Sequence, residues 1–210
     1  MKIKTYPDRI SDWFSDRFSS YYWHGDREKK KVYLTFDDGP TPIVTDFVLK
    51  ELTKFDFKAT FFCIGDKVEQ FPRTYNQLLE QGHAIGNHTQ HHLNAWKTSS
   101  IKYMEDVEKC AQQVNSQLFR PPYGRITGSL TKSLVDKGYK IVLWDLLSGD
   151  FDQRRTAASC LENLKTNTRN GSVIVFHDSD KSYKMLQEIL PQYLEFLKDQ
   201  GWKSDSITAD

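Results

Sequence analysis

Cysteine is scarce in this 210-residue chain: Cys63, Cys110 and Cys160 are widely spaced and odd in number. That pattern builds no disulfide framework and offers no CxxC pair for a structural zinc site. It suits a reducing compartment, with each thiol serving as a small apolar core residue. Excess charge is missing as well. Lys and Arg number 29 against 28 Asp and Glu, a formal net charge of +1, so no global field points to nucleic acid or to an anionic membrane. The local basic run Arg27–Lys31, REKKK, reads as a solvated linker before a strand. No apolar run reaches transmembrane length. The N-terminal MKIKTYPDRISDWFSDRF lacks an uninterrupted apolar stretch of signal-peptide type. As it stands the chain is expected to be cytoplasmic, and extracytoplasmic if a leader was removed. Internal repeats and low-complexity segments are absent too.

What remains is a globular composition, 38% hydrophobic and 27% charged, long enough for one domain with a real core. Strand and helix signals alternate. Strands are expected at KVYLTF (31–36), ATFFCIG (59–65), HAIGNH (83–88), LFR (118–120), KIVLWD (140–145) and SVIVFH (172–177). A helix with Thr41 as N-cap and Pro42 at its first position should follow the first strand, burying Val44, Phe47, Val48, Leu52 and Phe55. One helix through Leu78 and Leu79, ending at Gly82, should follow the second strand. Further helices are expected at 101–114, 130–137 and 157–168, and a last one at about 184–200, kinked at Pro191. Nearly all-apolar strands, each followed by a helix, predict an α/β fold with a parallel sheet covered on its outer face. Six clear strands are too few for a closed eight-stranded barrel. Residues 1–30 lie outside the alternation. There Ile10, Trp13, Phe14, Phe18, Tyr21 and Tyr22 are spaced for an amphipathic helix that packs on the 31–210 domain.

Polar residues cluster where the strands end: Asp37 and Asp38, then His88 and His92, Arg120, Asp150 and His177. In a parallel α/β barrel all those ends meet at one face. NHTQHH sets His88 and His92 four apart, on one side of a helical turn. They are either two polar loop residues or two imidazoles able to reach one ion. His91 points elsewhere at this spacing, and His24 and His83 read as ordinary surface residues. Adjacent side chains in extended backbone diverge, so the aspartates of TFDDGP are poorly placed to chelate one ion together. One of them could complete a His-His-Asp set while the other faces the open coordination position, the pattern of a catalytic rather than a structural zinc site.

Taken in order, TFDDGP, HTQHH, RPPYG, LLSGDF and VFHD resemble the motifs of the NodB-homology polysaccharide deacetylases, carbohydrate esterase family 4. The resemblance spans about residues 31–200. It implies a distorted, incomplete (β/α) barrel of about seven parallel strands and metal-dependent removal of N-acetyl groups from sugars. By the same resemblance Asp37 is the general base, and Asp38, His88 and His92 ligate one divalent metal, zinc first and Co2+, Ni2+ or Mn2+ as alternatives. Arg120 orients the base, and His177, tuned by Asp150, is the general acid. The backbone N–H of Tyr123 joins the oxyanion site, with Pro122, Trp144 and Val175 at the substrate wall. Three positions depart from the commonest family pattern: Leu147 where aspartate often stands, Phe151 for tryptophan, and Val175 for leucine. These touch the inference about substrate, not chemistry. The expected partner is a carbohydrate carrying N-acetyl groups. The alternatives are an amidase or deformylase on a small or lipid-linked substrate, which the missing export signal favours, and a non-catalytic sugar-binding protein.

Overall fold

The computed structural model describes residues 6–209. After a short helix α1 (Asp12–Arg17), the chain runs β1 (Lys31–Asp37), α2 (Val44–Lys54), β2 (Ala59–Cys63), α3 (Gly65–Gln70), α4 (Pro72–Glu80), β3 (Ala84–Asn87) and α5 (Ser100–Ala111). It continues through β4 (Leu118–Phe119), α6 (Gly128–Asp136), β5 (Lys140–Ile141), β6 (Leu146–Leu147), α7 (Ala157–Asn167), β7 (Val173–His177), α8 (Asp180–Asp199) and β8 (Lys203–Ser204). Seven strands form one curled sheet in the order β5-β4-β3-β2-β1-β7-β6, with β8 paired to the start of β1. Every pairing between these strands is parallel. The incomplete (β/α) barrel is the observed fold.

The period of two along β1 sorts its side chains. Val32, Leu34 and Phe36 join a buried apolar cluster with Val48 and Leu52 of α2, Leu164 of α7 and Leu186, Leu190 and Leu194 of α8. Tyr33 packs instead with Phe62, Val142 and Val173. Register then places the chemistry. Asp37 pairs with His177 on one side and Phe62 on the other, and Cys63, Asn87 and Phe119 pair in series across β2, β3 and β4. Residues that follow these strands therefore emerge together at one rim.

Several expected elements differ. KIVLWD is not one strand. Residues 140–142 pair toward β4, with Val142 N–H donating to Phe119 O, and Asp145 N–H donates to Val173 O of β7. The run bends from one side of the open barrel to the other, and Arg120 donates to the Val142 and Leu143 carbonyls at the bend. The helix after β2 is two helices, because Pro72, which has no N–H to give the preceding turn, opens α4 afresh. Helix α2 begins at Val44 after Ile43 at φ 71°, so Thr41 is not its N-cap; Thr41 N–H bonds Thr45 Oγ1 instead. Helix α8 begins at Asp180 and runs through Pro191 without ending.

The expected N-terminal amphipathic helix is only the six residues of α1, and Trp13 and Phe18 remain exposed. Backbone pairing fixes much of this segment, while of its apolar residues Tyr21 and Tyr22 pack against the core. Ile10 N–H donates to Asp145 O, Leu147 N–H to Asp8 O, Tyr22 N–H to Ile141 O and Leu143 N–H to Tyr22 O. The segment thus lines both free edges of the sheet, at β6 and beside β5. No helix among the described residues is long and apolar enough to cross a membrane.

Candidate active site

The site starts at the carboxyl end of β1. Asp37 closes the strand, buried. Asp38 takes a left-handed backbone conformation, φ 76°. Gly39 follows because nothing larger fits: a Cβ there would lie 2.0 Å from Asp178 Oδ2. The turn sends the two carboxylates into separate networks. Asp37 Oδ1 accepts from Arg120 Nη1 at 2.7 Å. Asp38 Oδ1 lies 3.7 Å from His88 Nε2 and 3.2 Å from His92 Nε2.

His88 follows β3 directly and is fixed at both ends of its residue. Its N–H donates to Cys63 O, and its Nδ1 is 2.7 Å from Arg120 O. The carbonyl accepts from Nδ1–H, which leaves the Nε2 lone pair facing Asp38. Burial pushes the His88 pKa down to about 4, so the imidazole is neutral at neutral pH. His92 arrives by a loop rather than by the helical turn its spacing predicts: Thr89 and His92 have φ of 64° and 55°. The loop is pinned where Thr89 N–H donates to Asn87 Oδ1 and Leu93 N–H to Thr89 Oγ1. The His88 and His92 rings end 5.1 Å apart. One donor atom each from Asp38, His88 and His92 falls within 4.8 Å of the others. Burial opposes the Asp38 charge, but the His92 hydrogen bond and the neighbouring imidazoles outweigh it and hold the carboxyl well below its usual range.

Arg120 is fully buried. Besides Asp37 it donates to Thr35 Oγ1 at 2.7 Å and to the two carbonyls at the strand bend, and its guanidinium sits 4.1 Å from the Phe62 ring. A planar cation held at this many points has no freedom to follow the carboxylate, so Asp37 is held in place by it. Opposite, at the end of β7, Asp150 grips His177 twice: Oδ1 is 2.8 Å from Nδ1, and Oδ2 accepts the His177 backbone N–H at 2.7 Å. Burial works against a charged imidazole, but Asp150 prevails and raises the His177 pKa to about 9. At neutral pH this histidine carries a proton to give.

One pocket of about 400 Å³ is lined by Asp37, Asp38, His88, His92, Tyr123, Trp144, Val175 and His177, with Leu147 and Phe151 on its apolar side. Arg120 and Asp150 stand behind that lining. Pro122, expected at the substrate wall, is not there: it is buried in the turn beneath Tyr123. Tyr123 has φ 61° and sets its ring 4.6 Å from His92. Gly124, φ 63°, lets the Trp144 ring in, since a Cβ would meet it at 2.4 Å. His91 lies outside the pocket lining and bonds Asp106. His83 is no surface residue. It is buried under Phe61, its Nδ1 accepts the Ala59 N–H, and burial lowers its pKa to about 4. Two features escaped the sequence. Asp178 is fully buried, with a carboxyl that burial raises to about 7 and that accepts from Thr45 Oγ1; its place beside His177 in VFHD was the available signal. Tyr6 reaches the pocket from the N-terminal segment, where no motif marks it.

The profile of the polysaccharide deacetylases matches residues 24–142. The chain belongs to the polysaccharide deacetylase family. It has relatives along nearly its whole length. One is a peptidoglycan-N-acetylglucosamine deacetylase of Bacillus cereus (strain ATCC 14579), 33% identical over 194 residues, 89% of this chain and 90% of that one. Among solved structures, the Bc1960 peptidoglycan N-acetylglucosamine deacetylase superposes with a TM-score of 0.81 at 30% identity, covering 94% of this chain and 95% of its own. A mutant of BA3943, a carbohydrate esterase family 4 pseudoenzyme, gives 0.79 at 25% identity, covering 90% of this chain and 71% of its own. The polysaccharide deacetylase fold therefore occurs with and without activity, and the side chains of the pocket carry the functional argument.

Proposed function

We propose that the chain is a metal-dependent carbohydrate N-deacetylase that hydrolyses the acetamide of N-acetylglucosamine-type sugars to a free amine and acetate. The observation that carries this is a divided pocket. A His-His-Asp donor set sits between an arginine-bound carboxylate and an aspartate-bound, protonated histidine. The donors fit a divalent cation: two imidazole nitrogens and an ionised carboxylate oxygen converge, and the far nitrogen of His88 is already held by a backbone carbonyl. Zinc suits such a set best, with Co2+, Ni2+ or Mn2+ as substitutes. When bound, the ion would supply Lewis acidity, activating water and polarising the acetamide carbonyl.

The chain's own residues do the rest. Asp37, with one oxygen on Arg120, takes the proton from the attacking water. The Tyr123 backbone N–H is the proposed donor to the developing oxyanion. His177 gives its proton to the sugar nitrogen as the C–N bond breaks, and Asp150 stabilises the imidazolium until then. Water adds across the amide, so the amine leaves with one hydrogen and the acyl carbon keeps the oxygen. Trp144, Leu147 and Val175 offer the acetyl methyl an apolar seat. The relatives named as peptidoglycan deacetylases favour a glycan-strand N-acetylglucosamine over a small amide. A binding role would need neither the Arg120-held carboxylate nor a histidine kept protonated. Acetate release from N-acetylglucosamine oligomers tests the reading. Activity should vanish with a chelator and return with zinc; metal-replete protein that releases no acetate from any oligomer would contradict it.

A further inference from the structure

Tyr6 lies outside the residues that the family profile matches, yet its side chain forms part of the pocket wall. Its ring packs on Phe151 with centroids 5.1 Å apart, and Phe151 in turn sits edge-on to His177 at 5.2 Å. The Tyr6 hydroxyl donates to Asp152 Oδ2 at 2.8 Å, and Arg154 forks onto the same carboxylate with two contacts of 2.7 Å. Two residues on, Asp8 binds Arg155 at 2.8 Å, while its carbonyl accepts the Leu147 N–H. The loop between β6 and α7, which carries Asp150 and Phe151, is thus fastened to the N-terminal segment on both sides of those residues. Gly149, φ 83°, leaves the Arg155 side chain its place behind the loop, where a Cβ would stand 2.5 Å from the guanidinium.

We infer that Tyr6 is a substrate-positioning residue: with Phe151 it forms an aromatic wall against which a pyranose ring packs beside His177. The inference rests on the deacetylase reading of the pocket. A tether alone would need the hydroxyl and the backbone contacts, but it would not need the ring to line the cavity. A pyranose presents axial C–H groups on one face, and an aromatic ring of fixed orientation covers them with large apolar area. The Asp152 bond removes the ring's freedom before the sugar arrives, so little ordering is left to oppose binding. The wall touches the sugar and not the acetyl group, so it acts on which acetamides are presented and not on the hydrolysis itself.

The test compares an N-acetylglucosamine tetramer with 4-nitrophenyl acetate, an acetyl donor that has no pyranose, in the intact chain loaded with zinc. In Tyr6→Ala the ratio of kcat/KM on the tetramer to that on the aryl ester should fall about tenfold, through KM, the scale of one lost aromatic contact. Tyr6→Leu, which keeps bulk against Phe151, should fall with it. Tyr6→Phe gives up a hydrogen bond to a carboxylate but keeps the ring against Phe151, so its ratio should stay clearly above that of Tyr6→Ala. An unchanged ratio in Tyr6→Ala overturns the inference, as does an equal loss on both substrates with a lowered Tm, which would make the segment a structural tether only. A parent protein that cleaves the aryl ester and leaves every oligomer intact would overturn the deacetylase reading itself, a separate result.

Discussion

Asp37 and Asp38 are neighbours in sequence and belong to different networks, because the left-handed Asp38 and the tight Gly39 turn the chain between them. The motif TFDDGP made this division legible, but its cause is not the alternation of extended backbone, since Asp38 lies past the strand in a left-handed conformation. Much else at this scale was legible in the same way: Arg120, His88, His92, Trp144, Asp150 and His177 all come to one pocket or stand directly behind it. His83 was not, since a lone histidine gives no sign of burial, and Tyr6 was not, since its partners lie more than 140 residues away. His177 carries a sharp prediction about pH. Its folded-state pKa of about 9 lies above the ordinary 6.5. Its protonation therefore contributes stability that is complete below about pH 6.5 and is lost as the pH rises through about 9. The acid function should follow the same proton, giving kcat/KM a basic limb at or below about pH 9. A cation on Asp38 would move the limb downward, by offsetting one of the charges that support the imidazolium. In Asp150→Asn burial wins, and the limb should shift by a unit or more toward acid in a pH–rate profile. His177→Ala should slow turnover by about 10²–10⁴-fold below the limb, with the difference shrinking above it. A basic limb unmoved in Asp150→Asn would contradict the pairing.

Among the elements, β1, β2, β7 and α7 followed from apolar patterning, whereas the starts of α2 and α8 and the break between α3 and α4 did not. The 140–147 run did not, because its bend depends on where its partners are: β4 on one side, β7 on the other, and Arg120 at the carbonyls between. The N-terminal segment escaped for the same reason. It is secured by backbone bonds to that run and by Asp145, which is almost fully buried and accepts from Arg27, Ser172 and the Val173 N–H. Arg169 approaches the same carboxylate at 3.4 Å. Asp145→Ala should leave the Val173 N–H without this acceptor, and Arg27 and Arg169 with only the half-exposed Asp12 as counter-ion. Because both arginines are about a quarter exposed, the cost should fall somewhat below that of a fully buried broken pair, at about 2–4 kcal/mol. In a chain of this size that is a fall in Tm of roughly 4–12 °C. Thermal unfolding by circular dichroism measures it, and a Tm within a degree of the parent would contradict the role given to Asp145.

At the scale of the whole molecule, the parallel sheet is what turns scattered motifs into a site. The Asp37–His177 register alone places a carboxylate and an imidazole from opposite ends of the chain side by side. The near-neutral net charge adds no long-range field, so the chemistry lies in local pairings at the rim. The central claim is that this rim holds one metal ion on Asp38, His88 and His92, with Asp37 free of it as the base. It is tested most directly by metal content, read by elemental analysis of purified Asp37→Asn and Asp38→Asn alongside their acetate-release rates. Asp37→Asn should keep close to one metal per chain and lose most activity, since an amide accepts no proton from water. Asp38→Asn should lose both metal and activity. Equal metal loss in the two variants would mean that both carboxylates share the ion, and full metal and full activity in both would mean that neither aspartate takes part.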